Sequence, residues 1–275
     1  MPVRGVSAAA ESGVLLVDKP SGPTSHAVVA SIRRELPRGT RVGHAGTLDP
    51  FATGLLLVLV GRATRIQRLL LGLPKRYEVL ARLGWRSDTG DRDGTLTETG
   101  RFPPEPLVLP HGVLMQRPPA YSAVKVGGRR AYALARAGQQ VELAPRAVEI
   151  TEFRLDRRDG DRAWFTIACS SGTYVRSLIA ELGDGYCEEL RRTEIGPFSV
   201  TDAGGEMLPI TAALAGLVPQ VRLPAGDADR LGHGLRPDAP PGVAGELLCI
   251  DPDGAPVALA EVVGGRLVSR VGFRP

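Results

Sequence analysis

At 275 residues with 43% hydrophobic content, the chain is long enough for one large core, or for a main domain with a small appendage, which excludes a single small module. Its 34 glycines and 23 prolines are scattered rather than gathered, which excludes a low-complexity or disordered chain. The net charge is only +4, and the longest apolar run, Leu55 to Val60, falls far short of the roughly 20 residues that span a bilayer, so no membrane partner is expected.

Before Asp18 and Lys19 there is no apolar segment of signal-peptide length, and a cytoplasmic location is the expectation. Gly13 to Lys19 (GVLLVDK) reads as a short buried strand. Thr24 or Ser25 then caps a helix with Val28, Val29, Ile32 and Leu36 on one side, ended by Pro37 and Gly39. Arg41 to Gly54 (RVGHAGTLDPFATG) has no period of 2 or 3.6 and reads as a loop, followed at once by the buried strand LLLVLV. Arg62, Arg65 and Arg68 recur every third residue along an expected helix after Gly61, where they read as a solvated face. Tyr77 to Leu83, Ala147 to Leu155 and Ala163 to Cys169 are strand-like, and a Pro- and Gly-rich stretch runs from Asp88 to Gly128. Tyr174 to Leu182 has helical spacing and places Arg176 in its first turn, beside the loop Ser170 to Thr173. After about Leu217, short apolar pieces between Pro and Gly predict a small all-β C-terminal domain.

Three cysteines (Cys169, Cys187, Cys249) without CxxC spacing argue against disulfides and structural zinc, and are expected as buried thiols. Four histidines far apart in sequence show no paired-ligand spacing, so neither a metal nor an organic cofactor is expected. Of the 34 basic residues, all but Lys19, Lys75 and Lys125 are Arg, a composition suited to phosphate and base contacts and a weak pointer to nucleic acid. Within GHAGTLDP, Asp49-Pro50 on its own would be a turn device and His44 a hydrogen-bonded structural histidine. Their setting between two strand-like runs is nevertheless one where a scaffold can hold a loop firmly at a pocket.

Four stretches taken together resemble the bacterial tRNA pseudouridine-55 synthases of the TruB type: DKPSGPTSH at 18 to 26, GHAGTLDPFATG at 43 to 54, QRPPAYSAVKVGGRRAYALARAG at 116 to 138, and SSGTYVRSL at 170 to 178. KRY at 75 to 77, SDTGD at 87 to 91 and LRRTEIGPF at 190 to 198 fit in the family's order, so that the resemblance covers most of residues 13 to 200. Between Gly94 and Gln116, and again between Leu182 and Leu190, the chain is shorter than the family pattern.

The resemblance implies an α+β protein. A catalytic domain with a central, mostly antiparallel sheet would fill residues 1–217, with a thumb-like RNA-binding insertion at about 116–144 and a PUA-like RNA-binding domain at 218–275. It implies isomerisation of a uridine in the T-arm stem-loop of tRNA, with no cofactor, no metal and no obligatory protein partner, by a monomer. Asp49 matches the family's nucleophile, a residue type able to form a covalent adduct or to stabilise positive charge at the sugar; attack on the ring and on the sugar are both open. Arg176 matches the arginine that pairs with that carboxylate. Tyr77 matches the aromatic residue that stacks on the base with its hydroxyl near the reacting carbon, against the alternative of a half-buried strand tyrosine. Tyr174 and Leu190 match positions lining the uridine pocket, His44 one that holds the flipped nucleotide, and Lys19 a structural partner of the site's floor. Within the insertion, Arg117, Lys125, Arg129 and Arg130 could neutralise phosphates. Two rivals stand beside this reading: an RNA-folding protein with incidental catalysis, and a glycosidic-bond hydrolase.

Overall fold

The computed structural model describes residues 12–119, 125–126, 129–130 and 143–274. Strand β1 (Gly13–Lys19) runs antiparallel to β3 (Thr53–Val60), with Gly13 opposite Val60 and Lys19 opposite Gly54. The unbroken apolar run of β3 suits a strand covered on both faces. Leu55, Leu57 and Leu59 pack with Val14, Leu16, Ile66 and Leu70, while Leu56, Val58 and Val60 pack with Val29 and Ile32 of α1 (Ser25–Glu35). Thr24 caps α1, its hydroxyl accepting the Ala27 N–H at 3.0 Å.

Two expectations in this half need correction. The stretch from Arg41 is not loop throughout, because β2 (Val42–His44) pairs with β3; three residues with Gly43 in the middle are too few to show a period. After Gly61 the chain makes a 3-10 turn (Gly61–Ile66) and then α2 (Gln67–Leu71) rather than one helix. The row is only partly a solvated face: Arg65 and Arg68 are exposed and Arg62 is half-buried, and Arg62 and Arg65 donate to the Phe273 and Gly272 carbonyls.

Strand β4 (Lys75–Leu83) leads to the hairpin β5 (Trp85–Ser87) and β6 (Leu96–Glu98), then to β7 (Gly112–Gln116). The short pair β8 (Lys125–Val126) and β9 (Arg129–Arg130) follows, and then the long strands β10 (Arg146–Asp159) and β11 (Arg162–Cys169). Helix α3 (Val175–Glu181) precedes β12 (Gly185–Ile195), which pairs with β13 (Phe198–Ser199). The main sheet runs β14 (Leu208–Pro209), β1, β3, β12, β4, β11, β10, β7. Its pairs are antiparallel except β12 with β3. That parallel contact needs Gly54: at φ +104°, a Cβ there would lie 2.2 Å from the Arg192 carbonyl oxygen. Strand β12 fills the stretch read from sequence as shortened; bulges at Cys187/Glu189 and Arg192/Glu194 break its alternation and hid it.

Beyond α4 (Ile210–Ala213), β15 (Gln220–Arg222), β16 (Glu246–Ile250), β17 (Pro256–Val263) and β18 (Arg266–Gly272) form a separate four-stranded sheet. This region is not all-β, because α5 (Ala225–Gly232) buries Ala228 and Leu231 against it. Leu248, Leu259 and Phe273 face the other way, into the core that holds Ile66 and Leu70. All three cysteines are buried and free. Among the described residues, no helix is long and apolar enough to cross a membrane.

Candidate active site

The GHAGTLDP loop is held by its own backbone. Ser25 Oγ donates to the Leu48 carbonyl at 3.0 Å and accepts the Leu48 N–H at 2.8 Å. The Pro50 carbonyl takes the Gly22 N–H at 2.8 Å and the Lys19 ammonium at 3.2 Å, and Lys19 also binds the carbonyls of Pro20 and Pro23. From the opposite side Arg192 donates to Leu55 O at 2.8 Å, Gly46 O at 3.1 Å and Thr47 O at 3.3 Å. A loop whose carbonyls are engaged from β1, α1 and β12 cannot drift, and that rigidity is what a reacting carboxylate needs.

Asp49 sits at the tip of this loop with its side chain 36% exposed, accessible to a substrate, while its partner Arg176 is 5% exposed. The Arg176 Nε–Asp49 Oδ2 distance is 2.9 Å. Arg176 Nη1 also lies 3.3 Å from Asp91 Oδ2 and donates to the Thr89 carbonyl. Burial pushes the Asp91 carboxyl up from its ordinary range, against the Thr89 hydroxyl, which donates to it at 2.6 Å, and against Arg176. One buried guanidinium thus bridges two carboxylates, one partly exposed and one buried, and holds the Oδ2 atom of the exposed one through its Nε. Gly90, at φ +75°, keeps the SDTGD turn close: a Cβ there would stand 3.3 Å from Arg176 Cβ.

Alternate residues of β4 (Lys75, Tyr77, Val79, Ala81, Leu83) point inward. Tyr77 is 8% exposed and belongs to one cluster with Leu48, Phe51 and Leu190. Its register partner on β12 is Arg192. Burial pushes the Tyr77 hydroxyl up from its usual range, while the Arg192 guanidinium beside it pulls it down and the Asp49 charge pushes it up. Tyr77 therefore stands within the electrostatic reach of Asp49. Burial, assisted by Arg192 and opposed by Asp49, brings Lys19 down to about 8; burial and Arg192 bring Lys75 down to about 8.

Among the residues singled out from sequence, the structure gathers Asp49, Arg176, Tyr77, Leu190 and Lys19 around one loop. Tyr174 is half-buried at the start of α3, and Arg146 lies over its ring at 5.8 Å. His44 ends β2 at the near end of the loop, its carbonyl accepting from Gln67 at 2.7 Å. Arg129 and Arg130 form β9, opposite Val126 and Lys125; their side chains, and most of the expected 116–144 insertion, lie outside the described residues. Sequence reasoning missed Ser25, Asp91, Gln116 and Arg192, all buried polar residues. Asp91 and Arg192 lay inside quoted motifs, where a charged residue in a turn or an alternating strand reads as solvated.

A cavity of about 730 Å³ is lined by Glu78, Trp164 and Arg191 together with Phe51 and Leu190 of the Tyr77 cluster; Asp49 is not among its lining residues. Among the described residues, no group of three or more His, Cys, Asp or Glu side chains could hold a metal ion.

Residues 33–175 match the family model described as TruB family pseudouridylate synthase (N terminal domain). The tRNA pseudouridine synthase B of Thermobifida fusca is 44% identical over 90% of this chain and 94% of its own length. Those of Corynebacterium aurimucosum (39%; 96% and 97% covered) and Rhodococcus jostii (40%; 96% and 94%) are similar over nearly the whole chain. Among solved structures, one chain of a Cbf5–Nop10–Gar1 complex superposes with a TM-score of 0.69 at 25% identity, covering 96% of this chain and 85% of that one.

Proposed function

The chain belongs to the TruB family of pseudouridylate synthases, and from that membership we propose that it acts on tRNA, at the uridine at position 55 of the T-arm, with Asp49 as nucleophile and the base flipped out of its stack. The observation that carries this reading is the Asp49–Arg176 contact of 2.9 Å at the tip of a loop fixed by Ser25, Lys19 and Arg192.

Unstacking the uridine costs a few kcal/mol, which stacking on Tyr77 and backbone contacts from the 116–144 insertion would offset. The bond from N1 of the base to C1′ of the sugar breaks, the base turns, C5 bonds to C1′, C5 loses its proton and N1 gains one. Nothing is oxidised or reduced and no group leaves, so the reaction needs no redox cofactor. Asp49 serves either route, adding to the sugar carbon or to the ring. Arg176 orients it, Leu190 closes the apolar wall, and Tyr77 presents its face to the base and its hydroxyl to the reacting carbon. His44 holds the flipped nucleotide and Tyr174 lines the pocket. In this reading residues 1–217 form the catalytic domain, and 218–275 form a PUA-like RNA-binding domain.

The test is incubation of purified protein with an unmodified tRNA transcript, without cofactor and with chelator, followed by chemical mapping. Pseudouridine at the T-arm position is expected. Free uracil in the supernatant would instead show a hydrolase, and modification at another position would overturn the site assignment.

A further inference from the structure

The strands that flank the 116–144 insertion meet at Tyr174. Gln116, the last residue of β7, is 1% exposed, and its register partner is Arg146, the first residue of β10. Gln116 Nε2 donates to the Tyr174 carbonyl at 3.0 Å, and its Oε1 accepts the Tyr174 N–H at 2.7 Å. The Arg146 guanidinium lies over the Tyr174 ring at 5.8 Å. Tyr174 is the N-cap position of α3 and no side chain caps that helix from within, so the Gln116 amide takes over part of that work from another strand. Two residues further on, Arg176 reaches Asp49.

We propose that Gln116 and Arg146 are positioning residues for the reaction: the root of the insertion sets Tyr174, and through the first turn of α3 it sets the Arg176–Asp49 contact. The chain of contacts is short and lacks slack. A buried primary amide that satisfies both backbone groups of one residue behaves like a strand partner, and it allows Tyr174 one position relative to β7. Force applied to the insertion by a gripped nucleic acid acts on the strands that flank it, and both bear on Tyr174. Affinity would reside in the insertion, while its root would govern how well the carboxylate is aimed. The proposal rests on the reading above, in which the insertion grips the RNA.

The test uses the full-length protein with Gln116→Leu, Gln116→Glu and Arg146→Met. For each variant three quantities are measured: tRNA affinity, single-turnover rate at saturating enzyme, and hydrogen exchange of the Tyr174 amide without RNA. In Gln116→Leu the expected rate loss is about tenfold to a hundredfold, the scale of a misplaced catalytic group, with unchanged affinity. Arg146→Met should show a smaller loss of the same kind. The Tyr174 amide should exchange faster in Gln116→Leu. In Gln116→Glu the carboxylate can accept but not donate; on protonation it regains the donor, so its rate relative to wild type should rise as pH falls.

Wild-type rates in Gln116→Leu and Arg146→Met would overturn the proposal. So would rate losses matched by equal losses of affinity. Should Gln116→Leu not fold, the pH-dependent recovery of Gln116→Glu and the Arg146→Met rate decide. A wild-type protein that binds but does not convert tRNA would sink the substrate assignment instead, and the exchange measurement would then judge the Gln116 contact by itself.

Discussion

Arg191 and Arg192 are neighbours on one strand and live in different chemistry. Arg191 points to the outer face and pairs with Asp18 at 2.7 Å, both side chains more than a third exposed. Arg192 points inward, is 1% exposed, and donates to three loop carbonyls. The same division holds across the sheet. On the outer face arginines meet carboxylates: Arg76 with Glu152 at 2.7 Å, Arg82 with Asp161 at 2.8 Å, and Arg162 with Glu188 at 2.9 Å. On the inner side Lys19, Lys75 and Arg192 spend their hydrogen bonds on backbone carbonyls. Exposed pairs neutralise charge in water and are worth little. Buried cations without a carboxylate partner leave positive potential around Asp49 and Tyr77, where it can act on a reacting group.

The comparison is sharpened most by Asp49→Asn, which keeps the loop and its backbone contacts but removes the carboxylate proposed as the nucleophile. It is expected to abolish pseudouridine formation in a single-turnover assay while tRNA still binds. Near-normal turnover would remove Asp49 from the chemistry. Tyr77→Phe comes next. Burial keeps the phenol protonated at rest, so the hydroxyl takes part in removing the C5 proton only with Arg192 drawing its charge or through a water. Near-complete loss of product with binding preserved is expected; a rate close to normal would make Tyr77 a stacking platform only.

What could be read from the sequence follows the same division. Strands β1 and β3 show apolar runs and β4 and β11 an approximate alternation, and the turn residues that bound them favour strands over helices. Asp49, Tyr77 and Arg176 came through ordered motifs rather than through any local property, since an isolated Asp-Pro is a turn. Strand β12 was not visible because two bulges shift its alternation. Arg192 was not visible for a different reason. Its partners at Gly46, Thr47 and Leu55 lie far away in the chain, and no window of sequence distinguishes it from Arg191. Gln116 and Asp91 share that character, being polar side chains whose burial only tertiary structure creates.

Arg192→Met should cost stability as well as rate. Three carbonyls lose a charged donor, the Leu55 carbonyl in a buried setting and those of Gly46 and Thr47 in part-buried ones, a loss of roughly 3 kcal/mol in denaturant unfolding. An unfolding midpoint equal to wild type would show that the loop holds itself. A smaller effect comes from Lys75, whose folded value of about 8 lies below its ordinary 10.5. Below about 8 the buried ammonium is charged in both states and its burial penalty is fully present. Between there and 10.5 the unfolded chain binds the extra proton, so raising pH relieves the penalty and stabilises the fold. The stability of wild type minus that of Lys75→Met should therefore rise with pH across that window, and a flat or falling difference would contradict the assignment.

The smallest effect is expected at Arg191→Met, and it is the control that gives the others meaning. The substitution removes a charge of the same sign, one residue from Arg192, on the same strand. Its partner Asp18 is 45% exposed and is readily hydrated when left alone. The pair is therefore worth less than about 1 kcal/mol, and added salt should erase even that. Single-turnover rate should be unchanged, because Arg191 alternates with Arg192 along β12, with Glu78 rather than Tyr77 as its register partner, and so points to the face of the sheet away from Tyr77. If Arg191→Met slowed the reaction as much as Arg192→Met, net charge rather than inward placement would be what the site uses. The division between the two faces would then have no catalytic content.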